Sequence, residues 1–284
     1  MSGKSQFTGA GYAIWAAFAL FLITSVGFPV AIVYRFGSEM HIEHKLTLAQ
    51  MIVSLVGFSG AIIAFYFAYV QYRRSEQWKR TEFIAGEFKD FESDPVVQNA
   101  LLMIDWGTRR INLFLRPDPE DADYVEITRD VQWRALLPHP LKKNYPAQKA
   151  ENSPNESKYK EGQSGRFTVN EAKIRDTYDV FLTRLDRFAN YINSGLISAE
   201  ELEPFLSYWV DAITKNEHPT EDAAWRCTLL TYINFYGYTG VKYLFESYGK
   251  DVNPESPLFS DLRSSVQDKV LADSLYHMIS PQQG

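Results

Sequence analysis

Two long stretches without a charged side chain constrain this sequence more than any other feature in it. The first, Tyr12 to Tyr34, reads YAIWAAFALFLITSVGFPVAIVY; the second runs from Leu46 to Val70. At about 1.5 Å per residue, a helix of the first length reaches roughly 34 Å, enough to cross a hydrocarbon layer. Tyrosines at its two ends suit the headgroup region, and Pro29 is tolerable inside a membrane helix. Lys4 ahead of an apolar stretch also fits a cleaved signal peptide. The run is too long for a signal core and lacks a clear small-x-small exit, which favours a retained span.

The second run ends abruptly in QYRRSEQWKR, with Arg73, Arg74, Lys79 and Arg80 close together. The segment between the runs, RFGSEMHIEHK, holds only Arg35 and Lys45 as Lys or Arg. Lys and Arg beside span ends mark the cytoplasmic side, so both termini are expected in the cytoplasm and the loop outside. Neither run contains Asp, Glu, Lys, Arg or His, which argues against a transporter made from this chain alone. Gly60, Ala64 and Ala68 recur every fourth residue, with Gly57 and Ala61 on an adjacent row. That spacing allows close helix approach in lipid, and the expected use is packing against the first run, with self-association as the alternative.

The loop offers His41 and His44, flanked by Glu39 and Glu43. Imidazole and carboxylate together bind zinc or copper, and a three-residue spacing puts both histidines on one face of a helix. A structural metal site generally needs four ligands, so a solvated turn is the first reading and a metal-reading loop the second. No cofactor is expected.

Three of the 29 Lys/Arg and two of the 35 Asp/Glu precede Gln71, so the remainder is net acidic. It lacks the broad basic surface that nucleic acid requires as a main partner. The single cysteine, Cys227, lies near Trp225, Leu229 and Leu230 and reads as a small buried hydrophobe.

The pattern after the second run is helical. An amphipathic continuation carries Trp78, Ile84, Phe88 and Phe91 up to ESDP, where Ser93 or Asp94 can cap a helix opening at Pro95. That helix is expected to reach Leu115, with Asp105 and Arg109 paired on its surface, before the acidic string RPDPEDAD. A short helix follows at about Tyr124 to Leu137, and then a polar stretch, 138–166, reads as a mobile insertion. TVNE, from Thr168 to Glu171, is a capping box opening a seam of Ile174, Tyr178, Phe181, Leu185, Phe188 and Ile192. Gly195 closes it as a left-handed cap, and SAEE opens the next helix, to about Asn216, with Leu202, Phe205, Leu206, Trp209 and Ile213 inward. Trp225, Leu229, Tyr232, Ile233 and Tyr236 fit one face of a further helix, read as an aromatic core in preference to a ligand pocket. A last helix is expected near Ser265 to Met278.

Catalytic signatures are missing from this sequence. It carries no P-loop, Rossmann glycine fingerprint, kinase set, nucleophile elbow or zincin motif. Of the five histidines, none is framed by an acid and a nucleophile, so no catalytic residue is nominated.

At EFKDFESDPVVQNALLMIDW and LDRFANYINSGLISAEELEPFLSYWV the chain resembles an uncharacterised family of bacterial proteins with two N-terminal transmembrane helices and a helical cytoplasmic domain. The resemblance implies that architecture and a bacterial inner (plasma) membrane, and it implies no activity. The expected organisation is a short cytoplasmic tail (1–10), a first transmembrane helix (11–35), an extracytoplasmic loop (36–45) and a second transmembrane helix (46–72). A juxtamembrane and first helical part (73–137), the polar insertion (138–166) and the main helical part (167–284) complete an all-α bundle. The expected partners are the lipid bilayer and either another protein or a second copy. The expected function is a non-enzymatic interaction or signalling module, with a pore-forming effector or a metal sensor as alternatives.

Overall fold

The computed structural model describes residues 41–115, 124–142, 144–145, 167–215 and 222–280, together with Gly27, Ala31, Tyr34 and Arg35. The first apolar run, taken as a whole, lies outside the described residues, and so do the acidic string 116–123 and the polar segment 146–166. The chain divides into two compact units, Met1–Lys79 and Arg80–Gly284.

Helix α1 is continuous from Ile42–Ser93. Its first turn takes in Ile42 to Lys45, which the sequence had assigned to the loop. It stops where it does because Pro95 disfavours helical backbone at Asp94, which is extended with φ −68° and ψ 116°. Among the described residues, α1 is the one helix long and apolar enough to cross a membrane. Between Ile42 and Val70 large apolar side chains stand outward, among them Met51, Val53, Phe58 and Phe65. The least exposed positions, Leu48, Ile52, Ser59, Ile63 and Val70, form a single stripe. Ser59 satisfies its hydroxyl on the Leu55 carbonyl at 2.7 Å, within its own helix. At about 100° per residue this stripe lies roughly 150° from the row of Gly57, Gly60, Ala61, Ala64 and Ala68. Those small residues are exposed, and among the described residues nothing lies within 4 Å of a Cβ built on Gly57 or Gly60.

The second unit is mostly helical, as the sequence pattern implies, with one addition. Helix α2 (Pro95–Asp105) is capped by Asp94, whose carboxylate accepts from the Val96 amide at 2.9 Å. It ends well before Leu115: Thr108–Asn112 is strand β1, paired antiparallel with β2 (Tyr124–Thr128), Arg110 opposite Glu126. The surface pair expected between Asp105 and Arg109 is therefore replaced. Asp105 accepts from the Tyr208 hydroxyl, and Arg109 lies over the Trp106 ring. Tyr124 to Thr128, expected as the start of a helix, is strand instead, and α3 spans Arg129–Leu136. A short helix, α4 (His139–Lys142), buries Leu141 and Lys142, so the polar stretch begins as packed structure.

The rest is α5 (Val169–Asn193), α6 (Ala199–Thr214), α7 (Ala223–Phe235), α8 (Thr239–Ser247), α9 (Pro257–Ser265) and α10 (Lys269–Ile279). Both expected capping boxes form, at Thr168 with Glu171 and at Ser198 with Glu201. The α5 seam is buried from Ile174 to Phe188, while Ile192 at its end is half-buried. Gly195 has φ 71°, the left-handed turn that only glycine enters without steric cost. The last expected helix, near Ser265 to Met278, is α10, which starts at Lys269; α9 precedes it and was not expected. Helices α5 and α7 are central. The first meets α2, α3 and α8; the second meets α3, α8, α9 and α10. Ten of the thirteen residues of α7 are buried, so it is a core helix enclosed on all sides. Thr228 and Thr231 fit there because each hydroxyl bonds its own helix, at the Ala224 and Cys227 carbonyls. Within this unit the last turns of α1 join the core as an aromatic cluster: Phe91 against Phe181 and Phe188, and Phe88 against Phe205 at 4.7 Å.

Candidate functional site

Among the described residues, the histidines of the opening loop are not brought together with other ligands. His41 and His44 are exposed at the start of α1, with the His44 amide donating to the His41 carbonyl at 3.1 Å. Glu39 lies outside the described residues. Among the described residues, no group of three or more His, Cys, Asp or Glu is placed to hold a metal ion.

Two buried polar constellations, neither nominated by the sequence, are the most chemically elaborate places in the second unit. In the first, Arg129 donates to Asp222 at 2.7 Å, to the Met103 and Ile104 carbonyls and to Gln132 Oε1 at 3.0 Å. Its guanidinium lies 4.0 Å from the centre of the Trp225 ring. Trp225 Nε1 donates to the Tyr178 hydroxyl, which donates in turn to Gln132 Oε1. The two carbonyls at the end of α2 have no partner in their own helix, and Arg129 supplies the missing donors. Burial pushes the Tyr178 phenol well above its ordinary range, so it stays protonated and donates. This network ties α2, α3, α5 and α7 together.

The second lies around Arg175. Its guanidinium bonds the Ala135 and Leu137 carbonyls and faces the rings of Tyr232 and Tyr236 at 4.6 and 4.8 Å. Beside it, Lys142 and Glu171 form an ion pair at 2.5 Å, with the lysine wholly enclosed. Burial lowers the Lys142 pKa, and the Glu171 carboxylate opposes that shift. Tyr232 and Tyr238 both donate to Asp179. Burial raises both phenols, and the bond to Asp179 adds to the shift. The tyrosine-rich segment is thus occupied by its own partners, as an aromatic core is.

Cys227 is buried, and its thiol is pushed up to about 12 by desolvation, so it is not a thiolate nucleophile at neutral pH. Among the described residues, an open cleft of about 380 Å³ lies between α6 and the end of α8. Glu200, Glu203 and Asp211 line it with Lys250 and Tyr248. Asp211 is held by Lys215 and Lys250, each at 2.9 Å, and those bonds depress its pKa. A carboxylate already paired to two lysines, as Asp211 is, offers recognition more readily than proton transfer. No local signal flags Arg175: Asp176 follows it, and Glu171 and Asp179 lie four residues to either side, so in sequence it reads as a solvated, ion-paired arginine.

These features define a helical domain continuous with a membrane-length apolar helix, whose buried polar groups hold elements together. No family model, no curated protein and no solved structure matches this chain.

Proposed function

We propose that this chain is a membrane-anchored protein-interaction or signalling module of a bacterial inner membrane, with both termini and the helical domain in the cytoplasm. Its first apolar run and α1 form a two-helix hairpin in this reading. The observation that carries it is the outward display of Met51, Val53, Phe58, Phe65 and Phe67 on α1. In water such a surface is strongly unfavourable, at about 25 cal/mol per Å² of apolar area; in lipid that cost vanishes. The domain's buried networks supply rigidity, and its open acidic cleft supplies a recognition surface. The test combines two measurements on the full chain. Alkaline carbonate should leave it in the membrane fraction, and crosslinking in intact cells should recover one partner in fixed proportion. Release into the soluble fraction would overturn the anchor; absence of any fixed partner would overturn the interaction role.

A second reading is an effector whose copies assemble into a leak or pore. The exposed small-residue face of α1, opposite its least exposed stripe, favours it, because such a face lets a second copy approach closely. Expression should then dissipate the membrane potential, and an unchanged potential with full insertion would count against it.

A further inference from the structure

Just past the apolar part of α1, the helix changes character within one turn. Every residue from Gln71 to Arg80 is exposed. Arg73, Arg74 and Lys79 point from this segment, and among the described residues no ion pair engages any of the three. The acidic residue among them, Glu76, instead accepts from the Tyr72 hydroxyl at 2.6 Å. Trp78 is 70% exposed and Tyr72 61%, so neither aromatic belongs to a core. We propose that Tyr72 to Lys79 is a collar that binds the phosphate headgroups of anionic phospholipids. It rests on the reading of α1 as a membrane span.

The azimuths carry the argument. On a helix with 3.6 residues per turn, Arg73, Arg74 and Lys79 lie about 100°, 140° and 120° apart, which encircles the axis. A basic helix lying flat on a membrane gathers its cations on one face, opposite an apolar one. A helix that passes steeply through the headgroup layer meets phosphates on every side, and an encircling set of cations suits that geometry.

Side-chain direction adds to this. Helical Cα–Cβ bonds tilt toward the N-terminus, so these long side chains lean back toward the apolar run. Lys79 stands about 13 Å beyond Val70 along the axis and can reach down a further turn. Guanidinium groups bind phosphate oxygens bidentately, and Trp and Tyr favour the interface, with an apolar body and a polar tip. The second unit is net acidic, so attraction to an anionic surface concentrates on this collar. Zwitterionic lipid offers the same phosphate next to its own ammonium, which cancels most of the gain.

The test uses full-length protein reconstituted into phosphatidylcholine vesicles with or without phosphatidylglycerol. Flotation reports insertion, and native mass spectrometry of the released protein counts the lipids retained. The wild type should retain phosphatidylglycerol over phosphatidylcholine, less so at high salt. The Arg73→Gln, Arg74→Gln, Lys79→Gln variant should float equally well and lose that preference, by about fivefold for each cation removed. Equal flotation with the same lipid ratio in both proteins would overturn the collar and leave the membrane reading standing. Failure of either protein to float with any vesicle would overturn the membrane reading and the collar with it.

Discussion

Phe65 and Phe181 are the same side chain on two long helices, with opposite surroundings. Phe65 is 75% exposed on α1, while Phe181 is fully buried on α5 against Phe91. Around Phe65 there is no polar face for the helix to turn outward, so burying one side within the chain would leave another bare. Around Phe181 apolar positions recur in a stripe, and the exposed Thr183, Arg187 and Asn190 take the opposite side. Periodicity decides how a helix must be covered: a stripe calls for one packed face, and an all-round apolar surface calls for cover on every side, by protein as at α7 or by lipid.

The largest expected difference between the two regions appears at alkaline pH. Tyr178, Tyr232, Tyr238 and Tyr248 are all raised above the ordinary phenol value of 10.0, and Cys227 rises from 9.0 to about 12, in each case chiefly through burial. The folded state keeps protons that the unfolded chain releases. Their contribution is therefore complete below about pH 9 and is lost as pH rises through 9 to 10 and beyond. Lys142 works in the other direction, since its lowered pKa means that its burial penalty fades toward 10.5. One lysine does not offset five groups. Near-UV circular dichroism of the full chain in bilayers should show the second unit unfolding cooperatively at high pH, while far-UV helicity from the apolar part of α1 persists. Simultaneous loss of both signals would break the comparison.

Trp225→Ala should destabilise the second unit by about 3–5 kcal/mol in a denaturant titration, since it opens a cavity and removes both the face over Arg129 and the donor to Tyr178. Phe65→Ala should leave that transition unmoved. A comparable shift from Phe65→Ala would mean that its ring belongs to a protein core.

Glu171→Gln should cost about 3 kcal/mol, because it leaves the enclosed Lys142 ammonium without its counter-charge. Glutamine at this position retains the capping geometry, so the loss reports the charge alone. Pairing it with Lys142→Met should recover most of the stability. At the exposed Arg263–Asp273 pair, Asp273→Asn should change little. Gly240→Ala should cost about 1–3 kcal/mol, because its Cβ would meet the Asp186 carboxylate and Ala189. Gly60→Ala meets nothing within 4 Å among the described residues and should leave the second unit as it is.

What the sequence revealed were the features written in neighbouring residues. Thr168, Ser198 and Asp94 announce helix starts within three positions, Gly195 announces a stop, and the α5 seam is legible as a 4-3-4 rhythm. The β-hairpin was not legible. Val97, Leu101, Ile104, Ile111 and Leu115 imitate helical spacing straight through Gly107, and only pairing with Tyr124–Thr128, across a long connection, makes Thr108–Asn112 a strand. Arg129 escaped notice for the same reason: Met103, Ile104 and Asp222 are far away in sequence. Lys142 was hidden because a proline- and lysine-rich stretch looks solvated from end to end. Helix α1 was legible in its apolar and amphipathic parts, but not in its first turn, where charged residues look like loop.

The smallest measurable losses expected are at the two capping boxes, and here the comparison moves inside the second unit. Both boxes have the same atoms: the hydroxyl accepts from the N3 amide, at 3.1 Å for Thr168 and 3.3 Å for Ser198, and each glutamate returns a bond at 2.8 Å. Their surroundings differ. Ser198 and Glu201 stand near water, which replaces a lost acceptor at little cost. Thr168 and Glu171 are partly enclosed, and Glu171 must also stay aimed at Lys142. Thr168→Ala should therefore cost about 1–2 kcal/mol and Ser198→Ala about 0.5–1 kcal/mol in the same denaturant titration. In a background of Lys142→Met with Glu171→Gln, the penalty of Thr168→Ala should shrink toward the Ser198 value, because the aim of the carboxylate no longer matters. An unchanged penalty would show that the cap at α5 and the buried ion pair act independently, and that enclosure of the amide alone separates the two helix starts.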